Sequence, residues 1–328
     1  MPLRLPSLLA AVFGLLAVAS LHLGLRTYPP ATVWAALTQG GTDAEALIVT
    51  TLRLPRLLLA TVVGAMLALS GLLMQAATRN PIAEPALIGV NGGAAFAVVA
   101  WIVFLGDPGM PALMAIAAFG ALAAGALVFG FVAAAAPGFP AAGLLLAGVA
   151  VSALLASGVQ VVVLMNEGVM EELIFWLSGA FEGRPLAGLP LAAALGLAAA
   201  LAGLALAPAL DVMAADDATA AALGVATGGV RAACLVAGAA LAGAGVALAG
   251  PVAFVGLAAP HLARLSGLRG HRALIPVAVL WGAILGVGAD IAARFVLYPS
   301  EAPVSAVTAL IGVPILLVLL RRGARMPT

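Results

Sequence analysis

Charged residues are scarce in this chain. Of its 328 residues only 8% are Asp, Glu, Lys or Arg, whereas 64% are hydrophobic. The stretch from Pro108 to Asn166 contains no charged residue at all. A water-soluble domain needs charged side chains to cover its exterior, so this composition excludes a soluble globular fold. The sequence therefore predicts a protein whose solvent is lipid.

Cysteine is nearly missing and lysine is absent. The single cysteine, Cys234, excludes an internal disulfide and a metal site built from cysteines. All 14 basic residues are arginines and the formal net charge is only +1, which gives no general attraction for nucleic acid. The histidines His22, His261 and His271 have no metal-ligand spacing, so we assign no metal ligand.

The chain has no energy source of its own. No Gly-x-x-x-x-Gly-Lys-[Ser/Thr] loop is present to hold a nucleotide. An ion-coupled carrier needs titratable groups at membrane depth, and the apolar runs offer essentially Asp290 with the amides Gln75 and Gln160. Asp290 lies four residues before Arg294, which predicts an ion pair rather than a coupling site. The sequence therefore favours a transporter that is powered by another subunit. The alternative is an ion-coupled secondary transporter. No nucleophile has a neighbouring base in the sequence, so the sequence does not indicate an enzyme.

Long apolar runs take the place of charge. Strand-like alternation is absent and Ala, Leu and Gly dominate, so we predict an all-α membrane protein with about ten transmembrane helices in one domain, residues 1–328. The first run resembles a signal peptide but continues to Leu25, which favours a retained helix. The longest run must contain two crossings, separated at Ala136–Pro140. Pro and Gly predict further breaks at Asn80–Pro85 and Gly250–Pro260.

The arginines predict the orientation of these helices. With ten spans and a cytoplasmic amino terminus, nine arginines fall inside and five outside, and both termini are cytoplasmic. The inside set is Arg4, Arg79, Arg231, Arg264, Arg269, Arg272, Arg321, Arg322 and Arg325, and the outside set is Arg26, Arg53, Arg56, Arg184 and Arg294.

Small residues predict how the helices pack. Helices in lipid approach closely where Gly and Ala face each other, as at Gly64 with Ala68 and at Gly282 with Gly286. A weak internal similarity at an offset of 175 residues suggests an inverted repeat of spans 2–5 and 7–10. The matching pairs are Arg56 with Arg231, Pro85 with Pro260, Leu87 with Leu262 and Gly92 with Gly267.

Several motifs occur in a characteristic order. They are Leu52-Arg53-Leu54-Pro55-Arg56, Arg79-Asn80-Pro81-Ile82-Ala83-Glu84-Pro85, Gly89-Val90, Pro260-His261-Leu262-Ala263-Arg264 and Ala289-Asp290-Ile291-Ala292-Ala293-Arg294. From about Leu52 to Leu320 the chain resembles the permease family of type II ABC importers for iron chelates, heme and cobalamin. The resemblance says little about which of these is carried.

The resemblance implies a set of partners. Such permeases form homodimers in the bacterial inner membrane, with two cytoplasmic ATPase subunits below and a periplasmic substrate-binding protein above. The function implied is import of an iron chelate, heme or siderophore, or of cobalamin, and we lean towards heme or another iron chelate. The chain would need no cofactor of its own, since the partner ATPase binds ATP and magnesium.

The resemblance also implies three sites. Arg53, Arg56 and Arg294 match positions that dock acidic residues of the binding protein, although they could equally anchor helix ends. The segment at about 211–225 matches the coupling segment of two short helices that fits the ATPase, through Asp211, Asp216, Asp217, Leu223 and Gly224. The second, fifth and tenth spans of two protomers would line the pathway, although each lining residue could equally be core packing. By interpolation the pathway residues are Met66, Ser70, Met74, Val149, Ser152 and Thr308, with Ala153 and Ile311 nearby.

Overall fold

The computed structural model describes residues 4–86, 88–134, 141–166, 174, 176–298 and 300–323, and none of these residues forms a β-strand. The helices begin and end as follows: α1 Arg4–His22, α2 Pro30–Gln39, α3 Ala44–Leu47, a π-helical turn Ile48–Arg53, α4 Leu54–Thr78, α5 Val90–Leu105, α6 Met110–Ala134, α7 Ala141–Leu164, a 3-10 turn Leu186–Gly188, α8 Leu189–Met213, α9 Asp217–Ala222, α10 Thr227–Ala249, α11 Val255–Leu265, α12 His271–Val296 and α13 Val304–Gly323.

The all-α membrane fold predicted from composition is confirmed. In the described part of the chain seven helices are long and apolar enough to cross a membrane, and Val90–Leu105 and Val304–Pro314 are shorter apolar helices. These nine helices and α11 together correspond to the ten predicted spans. Helix α11 takes the place of the eighth span, although it has only 11 residues. At 1.5 Å per residue α11 is about 16 Å long, half of a hydrocarbon core. The predicted break at Ala136–Pro140 lies outside the described residues.

Helix α4 lies at the centre of the bundle, packed between α10 and α12. Gly64 of α4 faces Gly282 and Gly286 of α12 so closely that a side-chain carbon on any of the three would collide with the backbone of the other helix. Gly93 of α5 and Gly120 of α6 meet in the same way. These contacts confirm that glycine sets the closest helix pairs, as expected where lipid supplies no hydrophobic force between helices.

The two predicted breaks pack against each other. Helix α4 ends at Thr78 and α10 ends at Ala249, and the residues Arg79 and Phe254 in the breaks have left-handed φ angles of 49° and 69°. The Asn91 amide at the start of α5 donates to the Val252 carbonyl at 3.0 Å. Irregular backbone at membrane depth needs such partners within the protein.

Helix α11 runs through Pro260, where the sequence predicted a break. Proline removes the N–H that would bond the carbonyl four residues earlier, which is that of Gly256. The Gln75 side chain supplies the replacement, because its Nε2 donates to the Gly256 carbonyl at 3.3 Å. The helix therefore continues because a neighbouring helix satisfies the freed acceptor.

The inverted repeat stays a prediction. Arg56 and Arg231 each lie near the start of a long helix, α4 or α10, that ends in one of the two breaks. Leu87, one of the matching positions, lies outside the described residues.

Candidate functional site

The predicted docking and coupling residues lie at opposite ends of the bundle. Arg53 and Arg56 are at the start of α4, whereas Arg79 follows its last residue and contacts Asp217 of α9. A helix of 25 residues is about 37 Å long, enough to separate the two ends by a membrane. We call these two ends the arginine end and the coupling end.

At the arginine end a buried carboxylate holds two of the three predicted arginines. Asp290 is fully buried and accepts one bond per oxygen, from Arg56 Nε and from Arg294 Nη2, each at 2.5 Å. Glu301 Oε2 lies 2.5 Å from Arg56 Nη1, and Glu182 Oε2 lies 3.7 Å from the same nitrogen. The predicted ion pair between Asp290 and Arg294 is confirmed.

Two of the three predicted arginines, Arg294 and Arg53, also donate hydrogen bonds to the carbonyls at the end of α1. The last carbonyls of a helix lack partners within it. Arg294 Nη1 donates to the carbonyls of Ser20 and Leu23, both at 2.7 Å. Arg53 Nη1 donates to the carbonyls of Leu21 and His22, and its guanidinium stacks over Tyr28 at 4.5 Å from the ring centre. The first helix is thus bonded into the bundle by both arginines.

A cavity of about 530 Å³ opens between these groups. Its charged lining comprises five arginines and two glutamates: Arg26, Arg53, Arg56, Arg184, Arg294, Glu182 and Glu301. Burial and the neighbouring charge of Glu301 raise the pKa of Glu182, although Arg56 opposes this. Burial lowers the pKa of Arg184. With positive charge in excess, the cavity is suited to a carboxylate.

The docking role of Arg53, Arg56 and Arg294 stays a prediction. The structure brings the three together, but their exposed fractions are only 7%, 7% and 2%. A partner's carboxylate could reach them only through the cavity. Sequence reasoning did not single out Arg26 and Arg184, which are more exposed on the cavity wall. Their place in the predicted outside set was the available signal.

At the coupling end the chain forms one short helix, α9, rather than two. Asp216 is its N-cap and accepts from the Thr219 amide at 2.7 Å and from its hydroxyl at 2.6 Å, and these bonds lower the pKa of Asp216. Gly224 follows the helix with a left-handed φ of 82°. The short helix therefore starts at an aspartate cap and stops before a glycine, as is common at helix ends. Leu223 is 67% exposed, an apolar side chain that a partner could cover.

Two aspartates tie this segment to the membrane helices. Asp217 pairs with Arg79 at the end of α4 and with Arg231 of α10, each at 3.1 Å. Asp211 is not part of the short helix. It lies in the last turn of α8 and accepts from the backbone amide of His271, at the start of α12, at 2.8 Å. A movement of α9 would therefore act directly on α4 and α10.

The pathway residues are split by the structure. Met66, Ser70, Met74 and Thr308 are buried within the protomer, and the Ser70 hydroxyl donates to the Gly238 carbonyl of α10 at 2.5 Å. Their positions fit the packing role that the sequence also allowed. Val149 is 48% exposed and Ser152 is partly exposed, both on α7. The pathway assignment stays a prediction for all six.

The helices are apolar, two breaks in them pack against each other, and a charged site lies at each end of the bundle. This is the architecture of a membrane permease. A protein-family model described as the FecCD transport family matches residues 10–322. The chain belongs to the FecCD transport family.

Relatives and a solved structure agree with this assignment. The chain is 36% identical over 297 residues to a probable siderophore transport system permease, YfiZ, of Bacillus subtilis, covering 90% of this chain and 88% of the relative. It is 37% identical to the vitamin B12 import system permease BtuC of Klebsiella pneumoniae, over 83% of this chain and 82% of the relative. A metal-chelate type ABC transporter in an inward-facing conformation superposes with a TM-score of 0.80 at 30% identity, over 97% of this chain and 99% of the other.

The chain is therefore a permease subunit of an ABC importer of the class that imports iron chelates or vitamin B12. Translocation rather than bond chemistry is its task. Nothing in the family supports the ion-coupled alternative.

Proposed function

We propose that this chain carries an iron chelate across the bacterial inner membrane into the cytoplasm, receiving it from a substrate-binding protein at the arginine end and driven by ATPase subunits bound at the coupling end. The observation that carries the proposal is the placement of a cation-rich cavity and the short helix α9 at opposite ends of α4, a helix about 37 Å long. A second copy of the chain would complete the pathway, and both termini would be cytoplasmic.

Docking would depend on the cavity rather than on surface arginines. Arg53 stacks on Tyr28 and donates to carbonyls, but none of the described carboxylates lies within ion-pair distance of it. A carboxylate from the binding protein would supply the missing negative charge. Arginine forks bind carboxylates through two parallel hydrogen bonds, which favours an oriented complex.

Coupling would pass through Asp217. ATP binding and hydrolysis in the partner subunits would move α9, and its ion pairs with Arg79 and Arg231 would carry that movement to α4 and α10. Because both helices end in the interlocked breaks, the movement would reach the point where the backbone is irregular. ATP and magnesium would be bound by the partner.

The proposed cargo is a ferric chelate such as a siderophore complex. The siderophore permease YfiZ among the relatives supports this choice, while BtuC keeps cobalamin as the second candidate. Heme has less support, because none of the named relatives carries it and the histidines have no metal-ligand spacing.

The docking proposal is tested best at an exposed cavity residue. Arg26→Glu reverses a charge on the wall while leaving the buried pairs of Asp290 intact. With permease and ATPase reconstituted in liposomes, we expect the stimulation of ATPase activity by the loaded binding protein to fall about tenfold or more, since a favourable charge pair becomes repulsive.

Arg272→Glu is the matched control, because it makes the same charge change on an exposed side chain at the coupling end. It should leave the concentration of binding protein needed for half-maximal stimulation unchanged. Full stimulation of the Arg26→Glu permease would reject docking at this cavity. Stimulation of ATPase activity by cobalamin-loaded binding protein alone would reject the ferric cargo.

A further inference from the structure

A second cavity, of about 720 Å³, lies at the coupling end. The end of α4, the last turn of α8, the end of α11 and the start of α12 surround it. Its charged lining comprises three arginines, Arg79, Arg264 and Arg269, with His271 and Asp211. Leu210 and Leu274 make part of the wall apolar.

Two of the three lining arginines, Arg264 and Arg269, have no carboxylate partner among the described residues. Arg264 is partly buried, and its Nη1 donates to Gln75 Oε1 at 2.7 Å. Gln75 is itself 2% exposed and bonded to the Gly256 carbonyl, so Arg264 is held in place by a neutral group.

The carboxylates near the cavity already bind groups other than Arg264 and Arg269. Asp211 Oδ1 accepts from both the backbone amide and the ring Nδ1 of His271, at 2.8 and 2.6 Å. Asp217, which does not line the cavity, pairs with the lining residue Arg79 and with Arg231. Within the described ranges neither Arg264 nor Arg269 has a carboxylate within 4 Å. A partly desolvated cation is stabilised when an anion shares its site.

We propose that this cavity binds a phosphate-bearing anion, either the headgroup of an anionic phospholipid or free phosphate. Guanidinium forks match phosphate oxygens in geometry as well as charge. The cavity lies where the apolar helices α8 and α12 meet at their ends, and Leu210 and Leu274 could border the first carbons of an acyl chain. Basic pockets between helices on the cytoplasmic side are suited to lipid headgroups.

The test uses the full-length permease purified in a neutral detergent. Dissociation constants for dioctanoyl phosphatidylglycerol, dioctanoyl phosphatidylcholine and inorganic phosphate are measured from the ligand-dependent rise of the melting temperature. We expect phosphatidylglycerol to bind and the double variant Arg264→Gln/Arg269→Gln to weaken this binding about 30-fold, since two cationic contacts are lost. Arg269→Gln alone, at an exposed residue, serves if the double variant does not fold, with an expected loss of about fivefold.

Arg272→Gln is the control, because it removes an exposed positive charge three residues from Arg269 that does not line the cavity. It should leave binding unchanged. Binding of phosphatidylglycerol alone supports a lipid headgroup, and competition by inorganic phosphate at similar affinity supports free phosphate.

Three results would overturn the proposal: no binding of either anion, equal binding of phosphatidylcholine, or an equal loss in Arg272→Gln. Loss of ATPase association in the double variant without any phosphate binding would also overturn it, since the cavity would then receive a partner's carboxylate. The inference does not depend on the docking proposal at the arginine end.

Discussion

At the residue scale, the two most deeply buried carboxyl groups among the described residues have opposite surroundings. Asp290 receives a guanidinium on each oxygen, from Arg56 and Arg294. Glu84, between α4 and α5, is also buried but accepts only the backbone N–H of Phe254, and its Oε2 has no partner. The first is therefore an ion-pair centre, whereas the second is a buried carboxyl group without an ion-pair partner among the described residues.

Replacement of Asp290 should be strongly destabilising. Asp290→Asn leaves two buried guanidinium groups without their shared counter-charge, which we expect to cost about 3–5 kcal/mol. The melting temperature of the purified permease measures this loss. Glu45→Gln, which neutralises an exposed acid, should have no measurable effect. Equal stability of Asp290→Asn and the parent would mean that the carbonyls at the end of α1 hold Arg294, and Glu301 holds Arg56, without a contribution from Asp290.

The sequence predicted only one of the contacts that these buried side chains make. The pair of Asp290 with Arg294 was predictable because four residues separate them on one helix. The bonds from Arg53 and Arg294 to the end of α1 were not, since their partners lie about 30 and 270 residues away and are backbone groups that any sequence provides.

At the element scale, glycine contacts fix how α4 packs on α12. Gly282→Ala places a methyl group against the Gly64 backbone and Ala68, and we expect a loss of about 1–3 kcal/mol. Gly288, on the same helix, has nothing within 4 Å, so Gly288→Ala should be neutral or slightly stabilising. Denaturation of the two variants side by side measures the difference. A larger loss at Gly288 would contradict the packing.

The coupling helix offers a second test at this scale. Asp217→Asn removes both ion pairs to Arg79 and Arg231. Because these pairs are partly exposed, the stability should change by less than about 1 kcal/mol. The stimulation of ATPase activity by loaded binding protein should nevertheless fall severalfold.

Asp216→Asn is the matched control for this change. It makes the same replacement one residue earlier, and asparagine caps a helix as well as aspartate does. Stimulation should be retained in this variant. Normal stimulation in Asp217→Asn would show that movement of α9 reaches the membrane helices by another route.

At the scale of the whole molecule, the two charged ends should face opposite sides of the membrane. In a Cys234→Ala background, a membrane-impermeant maleimide applied to spheroplasts should label Glu45→Cys but not Arg272→Cys. Both positions are exposed, and they lie near the arginine end and the coupling end, respectively. Labelling of both would contradict the span assignment, and labelling of only Arg272→Cys would reverse the orientation.

The sequence by itself determined the membrane fold, the breaks after α4 and α10, and the family, because these follow from local apolar length, proline and glycine positions and ordered motifs. The tertiary structure decided what the side chains do. It buried the predicted docking arginines, moved Asp211 out of the coupling helix, carried α11 through Pro260 and gathered arginines around two cavities. Such contacts join residues far apart in the chain, and only the packing of the helices sets which of them meet.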